Sequence, residues 1–103
     1  MALINATADN FKEITGTGLV LVDFYADWCG PCKMLTPVLE DLATEVTDVK
    51  IVKVNVDDAR ELAKEYGVSS IPHLTLLKDG VEVARDLGFK PKEILLEWIN
   101  SHH

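Results

Sequence analysis

The sequence predicts an α/β domain, a central mixed sheet with helices packed on its faces, and three observations predict it. Two apolar, β-branched runs, 19–25 and 50–56, read as strands buried on both sides. Segments with apolar residues at helical spacing lie between and after them, and parallel neighbours need such crossovers, which place helices on both faces of a sheet. Past residue 73 the pattern changes to two β-type runs around Lys78-Asp79-Gly80, the signature of a tight antiparallel hairpin. The predicted order is βαβαβαββα.

Taken in chain order, residues 2–4 form a short first strand. Thr7 is placed to cap a short helix over 9–14, which Thr15-Gly16-Thr17-Gly18 ends. After the strand 19–25, Leu35, Val38, Leu39, Leu42, Ala43 and Val46 recur at i, i+3, i+4 and i+7, marking a helix from near Cys32 to about Glu45. Pro37 lies inside it, removes one backbone hydrogen bond and predicts a bend that leaves the first turn partly independent. The strand 50–56 follows. Ala59, Leu62, Ala63 and Tyr66 then give an amphipathic helix with Gly67 as its stop. Leu74 to Leu77 and Val81 to Ala84 are the hairpin arms, and Pro91 opens a last helix whose stripe is Ile94, Leu95, Trp98 and Ile99.

With 103 residues the chain reads as one domain, 1–103, large enough for a core of its own. Ser101-His102-His103 reads equally as a native tail or a tag remnant and carries no weight. Hydrophobic residues make up 48%, yet no run approaches the ~18 apolar residues of a membrane span. The N-terminus lacks the basic region and long apolar stretch of a signal peptide, so a cytoplasmic location is expected. A formal charge of −7 argues against nucleic acid and anionic membrane as partners, because both select basic patches.

Chemistry concentrates in Trp28-Cys29-Gly30-Pro31-Cys32-Lys33, where the strand 19–25 ends and a helix begins. Cys29 and Cys32 are the only cysteines. A thiol at a helix N-terminus meets unpaired N–H groups and the positive end of the macrodipole, worth up to ~2 kcal/mol or about 1.5 pKa units. From a free-thiol pKa of ~8.5, that takes Cys29 from a few per cent thiolate at neutral pH to roughly half. Three other readings of the pair stand beside a redox one. A structural disulfide at this spacing closes too short a loop to constrain much. Zinc needs four ligands, and only His73, His102 and His103 are on hand, so no metal is expected. A cysteine hydrolase has no use for the second thiol.

The segment from Val22 to Lys33 resembles the active-site segment of the thioredoxin family, and Ile71-Pro72, Lys78-Asp79-Gly80 and Gly88 fall where that family has matching features. The resemblance covers nearly the whole chain. It implies a five-stranded sheet in the order 1-3-2-4-5 flanked by four helices, and a dithiol that reduces protein disulfides. Cys29 is then the nucleophile and Cys32 the resolving thiol. No cofactor is expected beyond their reversible disulfide, in a monomer recycled by a separate NADPH-dependent flavoprotein reductase, since the chain has no Gly-rich dinucleotide loop. The other class of function compatible with this fold is a docking subunit whose thiols are dispensable.

The same resemblance gives the surrounding residues their expected roles. Asp23, in an apolar strand, is read either as a proton carrier for Cys32 or as a structural partner of Lys53, which in both readings modulates it. Most X–Pro bonds are trans, but the family keeps the bond before Pro72 cis and packs the ring against the disulfide. Trp28, Gly30, Pro31, Ile71, Pro72 and Gly88 are expected to form the client-binding surface. Two positions depart from the family pattern. Tyr25 stands where many relatives have Trp, and His73 where relatives usually have Thr. An imidazole beside the dithiol titrates near neutrality and alters proton traffic there; the plainer reading is a histidine satisfied on a strand by Thr75.

Overall fold

Why the chain crosses itself as it does follows from the two most apolar strands, which have nowhere to go but the middle of the sheet. The structure, a computed structural model, describes residues 3–103. Among them run five strands and four helices: β1 (Ile4–Ala6), α1 (Phe11–Thr15), β2 (Leu19–Tyr25), α2 (Gly30–Glu45), β3 (Val49–Asn55), α3 (Arg60–Glu65), β4 (His73–Lys78), β5 (Val81–Leu87) and α4 (Lys92–Asn100). The sheet order is β1-β3-β2-β4-β5, parallel for β1, β3 and β2 and antiparallel for β4 and β5. That is the order the family resemblance implied.

The alternation of side chains along β2 splits the core in two. Leu19 and Leu21, with Ile51, Leu74 and Leu76, face α2 and α4 through Leu35, Leu39, Leu42, Leu95 and Ile99. Val20, Val22 and Phe24, with Val52, Val54 and Leu77, face Phe11 of α1 and Leu62 of α3. Asp23 falls on the first face and is fully buried, as are its strand neighbours.

Several boundaries differ from those read in the sequence. The first strand is Ile4–Ala6, further along than 2–4, and Ala2 lies outside the described residues. The short helix starts at Phe11 with Asn10 in the capping position, and not at Thr7; the Asn10 carboxamide instead accepts the Thr7 amide at 2.7 Å. A side-chain oxygen at either position serves that loop, and burial of Phe11 against Phe24 and Tyr66 decides where the first turn begins. Helix α2 begins two residues before Cys32 and continues through Pro37 to Glu45.

The hairpin turn is as its sequence demands. Asp79 and Gly80 both have positive φ, 50° and 83°, the mirror-image turn that matches strand twist. The Asp79 carboxylate accepts the Gly18 amide at 2.8 Å, and the Asp79 amide donates to the Gly18 carbonyl at 3.0 Å, which ties the hairpin to the start of β2. At the other end of the chain Ser101 follows α4, His102 packs edge-on to Trp98 and the His103 imidazole lies 2.9 Å from Asp48.

Candidate active site

Strand β2 ends at Tyr25 and delivers the chain through Ala26-Asp27-Trp28 to the start of α2, where the two cysteines are. Cys29 is the N-cap residue, with extended φ and ψ of −89° and 113°, and Gly30-Pro31 form the first helical positions, where the missing proline N–H leaves nothing unsatisfied. Cys32 lies in the first turn. The sulfurs are bonded as a disulfide, with Cα atoms 5.2 Å apart. The Cys32 amide donates to the Cys29 sulfur at 3.2 Å, so Cys29 caps the helix with its sulfur as an Asp or Ser does with oxygen. The same donor and the helix dipole stabilise charge on that sulfur once the bond is reduced. Both cysteines are buried and pack with Ala26, and position distinguishes them: Cys29 lies between exposed Trp28 and exposed Gly30, whereas Cys32 lies within the first turn of α2.

Around Cys29 the structure gathers residues from three distant stretches. Trp28 is 70% exposed, an unusual state for an indole, and its Nε1 donates to the Asp57 carboxylate at 3.0 Å, which fixes the ring's edge. The Ile71 carbonyl oxygen lies 3.8 Å from the Cys29 sulfur. The Ile71–Pro72 bond is cis and Pro72 is buried. The Gly88 amide donates to the Pro72 carbonyl at 2.8 Å, and Gly88 has φ of +84°, which a side chain disfavours. A cavity of about 360 Å³ opens between Trp28, Val56, Ala63, Val68 and Ile71. Trp28, Ile71, Pro72 and Gly88 are thus brought to one side of the dithiol, with Gly30 and Pro31 exposed beside them.

On the α2 side of the sheet, Asp23 pairs in register with Lys53 of β3. Neither Asp23 carboxylate oxygen has a hydrogen-bond partner among the described residues, and burial pushes its pKa from 3.8 up to about 7, with Lys53 pulling the other way. No ion pair joins the two. The Lys53 ammonium donates instead to the Thr36 hydroxyl at 2.9 Å and lies 4.1 Å from the centre of the Tyr25 ring. Asp23 is thus a buried carboxyl that feels the Lys53 charge without a hydrogen bond to it.

His73 is buried, and its Nε2 is 3.1 Å from the Thr75 hydroxyl, but Nδ1 has no partner among the described residues. Its register partner on β2 is Phe24, against which the imidazole packs edge-on, so it faces the α1 and α3 side, away from Asp23. Burial pushes its pKa down, helped by Arg85 and opposed by Glu82. The plainer reading of this residue holds in half: one ring nitrogen is satisfied by Thr75 and the other is not.

Asp57 and Thr36 had no place in the sequence reading. Nothing in the sequence marks Asp57 among its acidic neighbours. Thr36 carried a usable signal, since it follows Cys32 by four residues and so shares its helix face. Among the described residues no cluster of three or more His, Cys, Asp or Glu is arranged to hold a metal ion, and no helix is long and apolar enough to cross a membrane.

Comparison with known proteins agrees with this geometry. The family described as Thioredoxin matches residues 2–101. Thioredoxin of Chlamydia caviae is 59% identical over 96 residues, 93% of this chain and 94% of the relative. Thioredoxin of Bacillus subtilis is 54% identical over 103 residues, 99% of each chain. Among solved structures, a mutant thioredoxin from Halobacterium salinarum NRC-1 superposes with a TM-score of 0.89 at 39% identity, over 98% of this chain and 94% of that one. With the fold, the cysteine pair and the match all in agreement, the chain belongs to the thioredoxin family of thiol–disulfide oxidoreductases.

Proposed function

We propose that the protein reduces disulfides of client proteins, with Cys29 as attacking thiolate, Cys32 as resolving thiol and Asp23 as the group that takes the Cys32 proton. The observation that carries this is the capped, bonded pair at the start of α2 above a lone buried carboxyl. The Cys29 thiolate attacks one sulfur of the client disulfide, and the other leaves as a thiolate and is protonated. Asp23 then accepts the Cys32 proton through an intervening water. The Cys32 thiolate attacks the Cys29 sulfur, the client's second sulfur leaves, and two electrons have passed from the dithiol to the client. A carboxyl titrating at about 7 suits this work, because a general base is most effective near the working pH.

Trp28, Gly30, Pro31, Ile71, Pro72 and Gly88 form the client-docking rim in this reading, and Lys53 modulates Asp23. His73 acts on the rim only through the backbone it shares with Pro72. The protein works as a single-domain monomer in the cytoplasm and is returned to the dithiol by an NADPH-dependent flavoprotein reductase. Support for redox partners comes from a neighbour of TM-score 0.88 and 32% identity, covering 97% of this chain, from a structure of the thiol-resolving mechanism in yeast mitochondrial 1-Cys peroxiredoxin via the glutathione and thioredoxin systems.

The test is insulin-disulfide reduction with added dithiothreitol, together with alkylation and trapping. The wild type is expected to accelerate insulin precipitation, iodoacetamide at pH 7 to label Cys29 before Cys32, and Cys32→Ser to hold clients as mixed disulfides. No acceleration would leave a docking subunit as the function, and faster labelling of Cys32 would reverse the assigned roles.

A further inference from the structure

Beside Cys32, and sharing no lining residue with the cavity at Trp28 and Ile71, a second cavity of about 310 Å³ is lined by Tyr25, Asp27, Cys32, Lys33, Thr36 and Lys53. It is roomy and polar enough for water. Lys53 projects from β3 at the register position of Asp23, so its flexible stem places an ammonium within reach of a carboxyl that has no other cation beside it in the sheet. A buried charge is ordinarily paired, and the Lys53 ammonium is the partner on hand for Asp23. Here the two do not pair. The Lys53 ammonium is turned to the Thr36 hydroxyl at 2.9 Å and to the Tyr25 ring face at 4.1 Å, and the Thr36 hydroxyl donates in turn to the Cys32 carbonyl at 3.3 Å.

We propose that Thr36 is a positioning residue: its hydroxyl, helped by the face of Tyr25, anchors the Lys53 ammonium at the cavity mouth and keeps it from closing on the Asp23 carboxyl. The bonding pattern is consistent in every direction. The hydroxyl donates its one hydrogen to the Cys32 carbonyl, and its oxygen accepts a hydrogen bond from the ammonium. Because the Cys32 carbonyl belongs to the first turn of α2, the anchor also joins Lys53 to the segment that carries the resolving thiol. This rests on the reading of Asp23 as the proton carrier, and gives it a physical basis: an opposite charge within ~4–6 Å lowers an Asp pKa by about 1–3 units and makes it a poor base at neutral pH. The other charged groups at the cavity are Asp27 and Lys33, on its exposed rim, with the Tyr25 phenol. From β4 the neighbour of Asp23 is Leu74, α4 contributes Leu95 and Ile99 to that face, and His73 lies on the other.

The experiment is a ¹³C-carboxyl NMR titration of Asp23 in the disulfide form, where no thiol titrates, paired with the pH profile of insulin reduction. Thr36→Val keeps the volume and removes the hydroxyl; Thr36→Ala is a second variant should Val perturb the helix. Either is expected to lower the Asp23 midpoint by about one pH unit or more, as Lys53 turns inward. Thr36→Ser is expected to keep the wild-type midpoint. In a Lys53→Met background, Thr36→Val is expected to change nothing. An unmoved midpoint in Thr36→Val and Thr36→Ala, or an equal shift with and without Lys53, overturns the anchor. A shifted midpoint with an unshifted pH–rate profile upholds the anchor and overturns Asp23 as the proton carrier instead.

Discussion

Replacing Asp23 by Asn removes a charge from the middle of the sheet, and the structure sets how much that is worth. The folded pKa is about 7 against an ordinary 3.8, so the folded state holds the proton more tightly than the unfolded chain does. Asp23 therefore costs stability as pH rises above 3.8, and the cost reaches its full size above 7. At about 1.4 kcal/mol per pKa unit the cost is about 4 kcal/mol at pH 8 and under ~1 kcal/mol near pH 4. An Asn amide at the same site is itself left without partners, which returns about 1–3 kcal/mol of that gain. Asp23→Asn is accordingly expected to be more stable than wild type at pH 8 by about 1–3 kcal/mol, with the advantage gone or reversed at pH 4. Loss of a positioned base is expected to slow client reduction by about 10²-fold or more. Urea unfolding of both disulfide forms at the two pH values, with insulin reduction rates, measures each quantity. A difference that does not change with pH refutes the raised pKa. A variant less stable at pH 8 and equally fast makes Asp23 a structural residue and withdraws its catalytic role.

Two further predictions follow from the placement of aromatic and imidazole groups. Trp28 adjoins the disulfide while Trp98 lies in α4, so reduction is expected to raise tryptophan emission, a change that Trp98→Phe keeps and Trp28→Phe abolishes; the opposite pattern contradicts the geometry. His73 is buried with its pKa pushed below 6.5, so the unfolded chain takes up a proton first as pH falls and stability is lost below about 6.5. His73→Gln has no such proton to take up and is expected to gain stability relative to wild type between pH 7.5 and pH 5; curves that stay parallel in urea unfolding refute this.

How much was legible depended on how local the deciding interactions are. The bounds of β2 were read to the residue, because Leu19 to Tyr25 is apolar apart from Asp23, and such a run before Ala26-Asp27 reads as a strand buried on both faces. The same holds for the Asp79-Gly80 turn and for Gly67, which has φ of +67° just past α3. The start of α1 was misplaced because Thr7, Asn10 and their neighbours offer comparable caps, and the choice is made by where Phe11 finds Phe24 and Tyr66, residues far along the chain.

Read alone, the chain establishes the alternation of strands and helices, the dithiol at a strand-to-helix junction and the carboxyl within an apolar strand. Each of these rests on spacing within a few residues, where backbone geometry leaves little freedom. Which side chains face one another is set by the assembled sheet and its helices. Register between β2 and β4 turns His73 toward Phe24 and away from Asp23, although only one position separates it from Leu74 on the opposite face. Packing of α2 over the sheet gives Lys53 the Thr36 hydroxyl, and β2 gives it the Tyr25 ring, to bind in place of the carboxylate that pairs with it in register. A strand's period of two assigns its side chains to faces only relative to one another, so the neighbour that supplies each contact is fixed when the sheet and its covering helix come together.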